Sequence, residues 1–136
     1  MIVHGGLIAA RLAGRWRGVL IEGPSGAGKS DLALRCLQVG FRLVADDRTL
    51  LWTSGGRLFG RAPDVLHGLL EVRGLDVVRV PALHMAEVAL LVRPGEPERI
   101  PEPASAEMHG MRVPLLTLDL RDASAPAKLG RALARL

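Results

Sequence analysis

The sequence predicts an α/β fold, a single domain over residues 1–136, from three observations. A short apolar run, Gly18-Val19-Leu20-Ile21-Glu22, leads straight into the glycine-rich segment Gly23-Pro24-Ser25-Gly26-Ala27-Gly28-Lys29-Ser30. A stretch with helical spacing follows from Lys29 to Gln38, with Leu32, Ala33, Cys36 and Leu37 on one face. Beyond it, short apolar runs separated by turn residues fill most of the chain. The domain is therefore richer in strand than a plain doubly wound fold, with a strand-rich central sheet and a C-terminal helix.

The elements follow in order. Residues 2–13 are apolar around His4, Gly5 and Gly6, and Gly14 to Gly18 reads as a turn into the first buried strand. Gly40 closes the first helix as a C-cap would. Phe41 to Ala45 is a second strand that stops at Asp46-Asp47. Thr49–Thr53 and Arg57–Phe59 flank Ser54-Gly55-Gly56, a hairpin signal. Arg61 to Asp64 is a loop, and Val65 to Leu70 is short enough for one helical turn. Glu71 to Val80 mixes charges with Val and Leu. Glu87 to Val92 is a buried strand. Arg93 to Pro103 carries Pro94, Pro97, Pro101 and Pro103 and reads as an irregular surface loop. Val113 to Leu118 is a last strand, and Pro126 to Leu136 a closing helix with proline near its first turn.

Composition narrows the function classes. No apolar run approaches the ~18 residues that span a membrane, and the N-terminus lacks the pattern of a signal peptide. A cytoplasmic protein is expected. The single cysteine, Cys36, falls on the apolar helix face and reads as a small core residue. The net charge of +4 comes almost entirely from arginine, since Lys29 and Lys128 are the only lysines. Those arginines are scattered rather than striped, and Trp16, Phe41, Trp52 and Phe59 form no stacking platform. Nucleic-acid binding is not expected.

The segment from Gly23 to Ser30 has the spacing G-x-x-x-x-G-K-S, the phosphate-binding P-loop. Glycines let backbone N–H groups turn toward phosphate oxygens. Lys29 reaches the β- and γ-phosphates, and the Ser30 hydroxyl can ligate Mg²⁺. Asp46 and Asp47 sit at a strand end, where α/β sheets gather ligands. They could hold a metal or accept a proton, and a solvated turn is equally consistent with the spacing. Neighbouring strand residues point apart, so both acids can serve one site only across a bend. Strand alternation would put Glu71 and Arg73 on one face, as a metal ligand and phosphate clamp or as a surface ion pair. Arg99, in the proline-rich loop, could close over a transferring phosphate or simply face solvent. His4 could orient phosphate or shuttle a proton. His67, His84 and His109 have no metal-ligand spacing. The absence of a guanine-reading Asn-Lys-x-Asp favours ATP over GTP.

Taken together, His4-Gly5, Gly23 to Ser30, Val44-Ala45-Asp46-Asp47, Ala62-Pro63 and Leu70-Glu71-Val72-Arg73-Gly74-Leu75 resemble, in this order, the catalytic domain of the HPr kinase/phosphorylase family over residues 3–120. That resemblance implies an ATP- and Mg²⁺-dependent protein-serine kinase acting on the phosphocarrier protein HPr, or a paralogue, of the sugar phosphotransferase system. Many family members also run the reverse step, in which inorganic phosphate attacks the phosphoserine and releases pyrophosphate. The resemblance makes Asp47 the general base and Asp46 its acidic neighbour. Lys29 and His4 steady phosphate and transition-state charge, and Ser30 and Glu71 ligate Mg²⁺. Arg73 belongs to the family signature, and Arg99 takes the place of the catalytic loop arginine. A homo-oligomer is implied as well.

The chain departs from the family pattern in four ways. It starts almost at His4, it carries about four extra residues around Ala10 to Arg15, and Asp76 stands where a glycine is usual. The basic Pro-Gly loop linked to phosphorolysis is replaced by Arg112-Val113-Pro114-Leu115-Leu116-Thr117-Leu118-Asp119. Kinase activity is thus expected ahead of phosphorylase activity. The alternatives are a nucleotide-binding regulatory module without transfer activity and a small-molecule P-loop kinase.

Overall fold

The computed structural model describes all residues, 1–136. Ten strands and two helices run in the order β1 (Ile2–Leu12), β2 (Arg15–Glu22), α1 (Lys29–Leu37), β3 (Arg42–Ala45), β4 (Arg48–Ser54), β5 (Arg57–Arg61), β6 (Leu69–Val72), β7 (Asp76–Arg79), β8 (Ala86–Pro94), β9 (Ala104–Met108), β10 (Met111–Leu118) and α2 (Ala125–Ala134). A 3₁₀ turn over Asp64–Leu66 precedes β6. No helix is long and apolar enough to cross a membrane.

Eight strands form one sheet in the order β2-β1-β4-β5-β8-β10-β9, with β3 also paired to β1. Because β2 pairs with β8 as well, strands β2, β1, β4, β5 and β8 close into a ring. Closure explains the continuous apolar runs. In β2, Leu20 packs inside the ring with Leu7, Leu51, Leu58 and Leu91, while Val19 and Ile21 point outward. In β8, Leu91 turns inward and Leu90 and Val92 outward. The outward set packs under Leu32, Ala33 and Cys36 of α1 and Leu129 and Leu133 of α2. A strand buried on both faces needs apolar residues at every position.

Helix α1 ends in a Schellman-type cap: Gly40 takes φ 100°, and the Phe41 N–H returns to the Cys36 carbonyl at 3.1 Å. The expected hairpin at Ser54-Gly55-Gly56 joins β4 to β5. Four readings change. Arg15 to Arg17 are strand, because the reversal occurs at Ala13-Gly14, both with positive φ, and β2 pairs with β1 from Arg15 onward. The helical turn expected over residues 65–70 shrinks to Asp64–Leu66, since Leu69 already pairs in β6. Arg73 lies beyond the end of β6, in the turn to β7, so strand alternation does not set its direction. Finally, β9 pairs with β10 across a His109-Gly110 turn, both with positive φ. Its sequence, Ala-Ser-Ala-Glu-Met, carries almost no strand propensity.

Topology brings distant segments to one end of the sheet. Strands β2, β8 and β10 are mutually parallel, so their carboxyl ends open together. Strand β1 is antiparallel to β2 and pairs Gly5 with Glu22, which sets His4 beside the glycine loop. Strand β3, antiparallel to β1, delivers Asp46 and Asp47 to the same end. Close approach here demands glycine: a Cβ on Gly5 would stand 2.7 Å from the Ile21 carbonyl oxygen. The buried Thr49 hydroxyl donates to the Gly5 carbonyl at 2.8 Å and holds β4 against this corner.

Candidate active site

Gly23 to Ser30 wrap from the end of β2 into the first turn of α1, whose N-cap is Gly28 at φ 100°. Backbone N–H groups of a helix start face the cleft, a geometry that favours anions. Lys29 is buried, and its Nζ donates to the carbonyls of Gly23 at 2.5 Å and Pro24 at 3.1 Å.

A cleft of about 480 Å³ opens over this loop. Ser25, Gly26, Gly28, Lys29 and Ser30 form its floor, and Asp47, Glu71, Arg73 and Arg121 its walls. Asp31, in the first turn of α1, completes the lining, and no hydrophobic side chain takes part. The surface is suited to phosphate groups and offers no aromatic or aliphatic side chain for a base to stack on.

Asp46 and Asp47 divide the work the sequence left open. Asp46 turns beneath the cleft. It accepts the Ser30 hydroxyl at 2.7 Å and the Glu71 backbone N–H at 2.9 Å, tying α1, β3 and β6 together. Burial pushes the Asp46 carboxyl above its usual value, against the two hydrogen bonds that pull it down. Asp47 adopts φ 68°, in the left-handed region, within a tight turn closed by the Arg48 N–H on the Asp46 carbonyl at 2.8 Å. That bend is what lets adjacent acids reach one site, and it exposes the Asp47 carboxylate to the cleft. His4 Nδ1 lies 3.8 Å from Asp47 Oδ1, at the cleft's edge.

Ser30, Asp47 and Glu71 present a hydroxyl and two carboxylates, the hard oxygen donors that Mg²⁺ takes. They do not form a preassembled cage of three or more acidic or histidine ligands. Such a set suits an ion held jointly by the protein, by phosphate and by water.

Arg99 does not line this cleft. The start of its loop, Pro94 to Pro97, borders Pro24 and Ala27. By Arg99 the chain has moved over α2, where it shares a second cavity with Lys128 and Arg131. Besides Arg73, the arginine at the cleft is Arg121, whose guanidinium donates to the Gly26 carbonyl.

The family model described as the HPr Serine kinase C-terminal domain matches residues 1–90. The chain belongs to this HPr kinase family. An HPr kinase/phosphorylase of Clostridium tetani is 49% identical over 67 residues, covering 49% of this chain and 22% of that protein. One of Mycoplasmopsis pulmonis is 40% identical over 82 residues, 60% of this chain and 25% of that protein. The matched region thus spans a quarter or less of these relatives' length. The HPr(Ser) kinase/phosphatase structure from Coxiella burnetii superposes with a TM-score of 0.81 at 24% identity, covering 99% of this chain and 95% of that one. That likeness extends the family fold past residue 90, through β9, β10 and α2.

Within this domain, the sequence reading passed over two lining residues, Asp31 and, against the glycine loop, Arg121. For Arg121 one signal was available: it follows β10, and carboxyl ends of parallel strands gather at ligand sites. Arg35 of α1 fixes its place, donating to the carbonyls of both neighbours, Leu120 and Asp122, the latter at 3.0 Å.

Proposed function

We propose that the chain is an ATP- and Mg²⁺-dependent kinase that transfers the γ-phosphoryl group to a serine hydroxyl of HPr or a paralogue. One observation carries this reading: four segments far apart in sequence converge on a single polar cleft, setting Asp47, Glu71, Arg73 and Arg121 over the glycine loop. Family membership and the names of the relatives support the choice of substrate.

Each residue then has a task. Backbone N–H groups of Gly26, Gly28 and Lys29 cradle phosphate oxygens, and Lys29 moves its ammonium onto them from the Gly23 and Pro24 carbonyls. Asp47 accepts the proton as the serine oxygen bonds to the γ-phosphorus and the bond from that phosphorus to the β–γ bridging oxygen breaks, leaving ADP. His4 orients the Asp47 carboxylate. Arg73 and Arg121 neutralise charge on the transferred group. Ser30 and Glu71 hold Mg²⁺, which shields the phosphate charge when bound, and Asp46 fixes both of these residues from below. Leu75 and Val77 are exposed on the β6–β7 hairpin beside the cleft. Apolar surface next to a polar cleft favours a protein substrate over a metabolite.

The deciding experiment incubates the protein with HPr, Mg²⁺ and γ-labelled ATP, beside HPr whose target serine is alanine. Label on HPr that is absent from the alanine control supports the kinase. ATP binding without label overturns it in favour of a regulatory module. Adding inorganic phosphate to labelled product reads the reverse step.

A further inference from the structure

The phosphate cleft has no apolar wall, so the nucleoside of a triphosphate bound there needs a surface outside it. A third cavity, of about 600 Å³, also borders the glycine loop, through Pro24 and Ala27. It opens where β8 and β10 end, between Pro94–Pro97 and the turn from Asp119 to Asp122. Carboxyl ends of parallel strands are where α/β folds gather ligands. Arg121 lines both the cleft and this cavity. Its guanidinium donates to the Gly26 carbonyl, and a Cβ on Gly28 would stand 3.5 Å from its Cγ. The side chain thus lies along the glycine loop as a wall common to the two. The surrounding loops are held in place by the fold. The Gly95 N–H donates to the Leu118 carbonyl at 3.1 Å, which joins the end of β8 to that of β10. A Cβ on Gly23 would stand 3.0 Å from Pro94 Cγ, so the glycine loop packs directly on the end of β8. Arg35 holds the third side through the Leu120 and Asp122 carbonyls.

We infer that this cavity is a nucleoside subsite, which receives the ribose and base of a nucleotide whose phosphates lie on the glycine loop. The inference rests on the nucleotide reading proposed above and gives a place to the part of the ligand that reading leaves out. Charge separates the two spaces. The cleft offers Lys29, Arg73 and the N–H groups of a helix start to phosphate. The third cavity has one cation, Arg121, against three carboxylates, those of Glu96, Asp119 and Asp122. Such a wall disfavours phosphate and accepts hydroxyl and amine donors, which a nucleoside carries. Asp122 is already occupied by Lys128 at 2.8 Å and the Ser124 N–H at 3.2 Å. Asp119 takes the Arg121 N–H on one oxygen at 3.1 Å and keeps the other for a ligand, and Glu96 is exposed on its loop. Pro24, Ala27, Pro94 and Pro97 supply the apolar surface for a base. The volume lies in the range of small-molecule sites.

The test titrates ¹⁵N-labelled protein with ATP and, separately, with inorganic tripolyphosphate, both with Mg²⁺. Both ligands should shift the amides of Gly26, Gly28 and Ser30, and ATP alone should also shift those of Gly95, Glu96 and Asp119. Glu96→Gln/Asp119→Asn should weaken ATP on the order of tenfold and leave tripolyphosphate no weaker. Glu102→Gln/Glu107→Gln, an equal loss of negative charge outside the cavity, should leave the affinity for ATP unchanged. ATP shifts confined to the glycine loop would overturn the subsite. So would a Glu96→Gln/Asp119→Asn protein that binds ATP as the parent does, or that loses ATP and tripolyphosphate alike. If neither ligand shifts the glycine loop, the nucleotide reading itself fails and the subsite falls with it. ATP shifts at both sets of amides without label reaching HPr would uphold the subsite and overturn the kinase alone. The ¹⁵N spectrum of each variant establishes that it is folded.

Discussion

Asp46 accepts the Ser30 hydroxyl at 2.7 Å, and its other carboxylate oxygen takes the Glu71 backbone N–H at 2.9 Å. It is a positioning residue for the two groups assigned to the metal. Asp46→Ala should cost about 1–3 kcal/mol of stability, because two donors lose their acceptor. It should also raise the Mg²⁺ concentration needed for half-maximal activity. Urea melts and a Mg²⁺ titration check this. A variant that loses stability but keeps its Mg²⁺ dependence would confine Asp46 to the fold.

Acid should act on two aspartates with opposite sign. The Asp46 carboxyl is raised by burial, so between that folded value and the ordinary ~3.9 the native state binds the proton more readily than the unfolded chain. Stability from this group therefore rises as pH falls through that window. The Asp122 carboxyl is lowered, chiefly by its hydrogen bond with Lys128, so its contribution is present above ~3.9 and fades as pH falls through its folded value. Urea midpoints against pH for Asp46→Asn and Asp122→Asn, each compared with the parent, should diverge in opposite directions.

Asp47 holds φ 68°, a conformation that costs a side-chain-bearing residue of order 1 kcal/mol. Asp47→Gly should therefore raise stability by about 0.5–1 kcal/mol while abolishing transfer to HPr. Asp47→Asn should hold stability within about 0.5 kcal/mol, keep ATP binding, and lose at least a hundredfold in kcat. Thermal melts with single-turnover assays separate the two effects. Transfer by Asp47→Asn near the parent rate would remove Asp47 from its role as base.

Arg35 bonds Asp31 at 2.9 Å and the carbonyls on either side of Arg121. Arg35→Lys keeps the charge but not the fork that spans two carbonyls. It should lower kcat severalfold with a smaller effect on melting temperature, as Arg121 loses its fixed position. Arg121→Ala in the same background should then add little, a coupling read by a double-mutant cycle.

Burial raises the Cys36 thiol to about 12, so it carries almost no thiolate at neutral pH. A thiol reagent should label it only as fast as the protein opens, and urea should accelerate labelling in step with unfolding.

Local signals carried the reading of β2, the glycine loop and α1, since apolar runs, glycine spacing and helical periodicity all act within a few residues. The Asp46-Asp47 strand end was legible for the same reason, although only φ at Asp47 decides where the two acids point. Closure of the sheet through the β2–β8 pairing was not legible, because pairing partners are set by tertiary packing. Strand β9 escaped notice because its five residues gain their conformation from β10 rather than from propensity. The site divides along the same line. His4, Lys29, Asp47, Glu71 and Arg73 sit in recognisable motifs. Arg121 has no motif and reaches the cleft because Arg35, on another element, holds its turn in place.

Lys29 already lies out of water, with its ammonium shared between two carbonyls of its own loop. Folding has therefore borne most of the dehydration of this charge before any phosphate arrives. For Lys29, loading becomes an exchange of oxygen partners, from the Gly23 and Pro24 carbonyls to phosphate. The same contacts make Lys29 a clasp on the loop. A Lys29→Met variant would free the loop's backbone while deleting the charge, so its defect would combine lost electrostatics with a slackened cradle. Lys29→Arg, which keeps the charge in a shape unsuited to the same two carbonyls, would weigh one against the other.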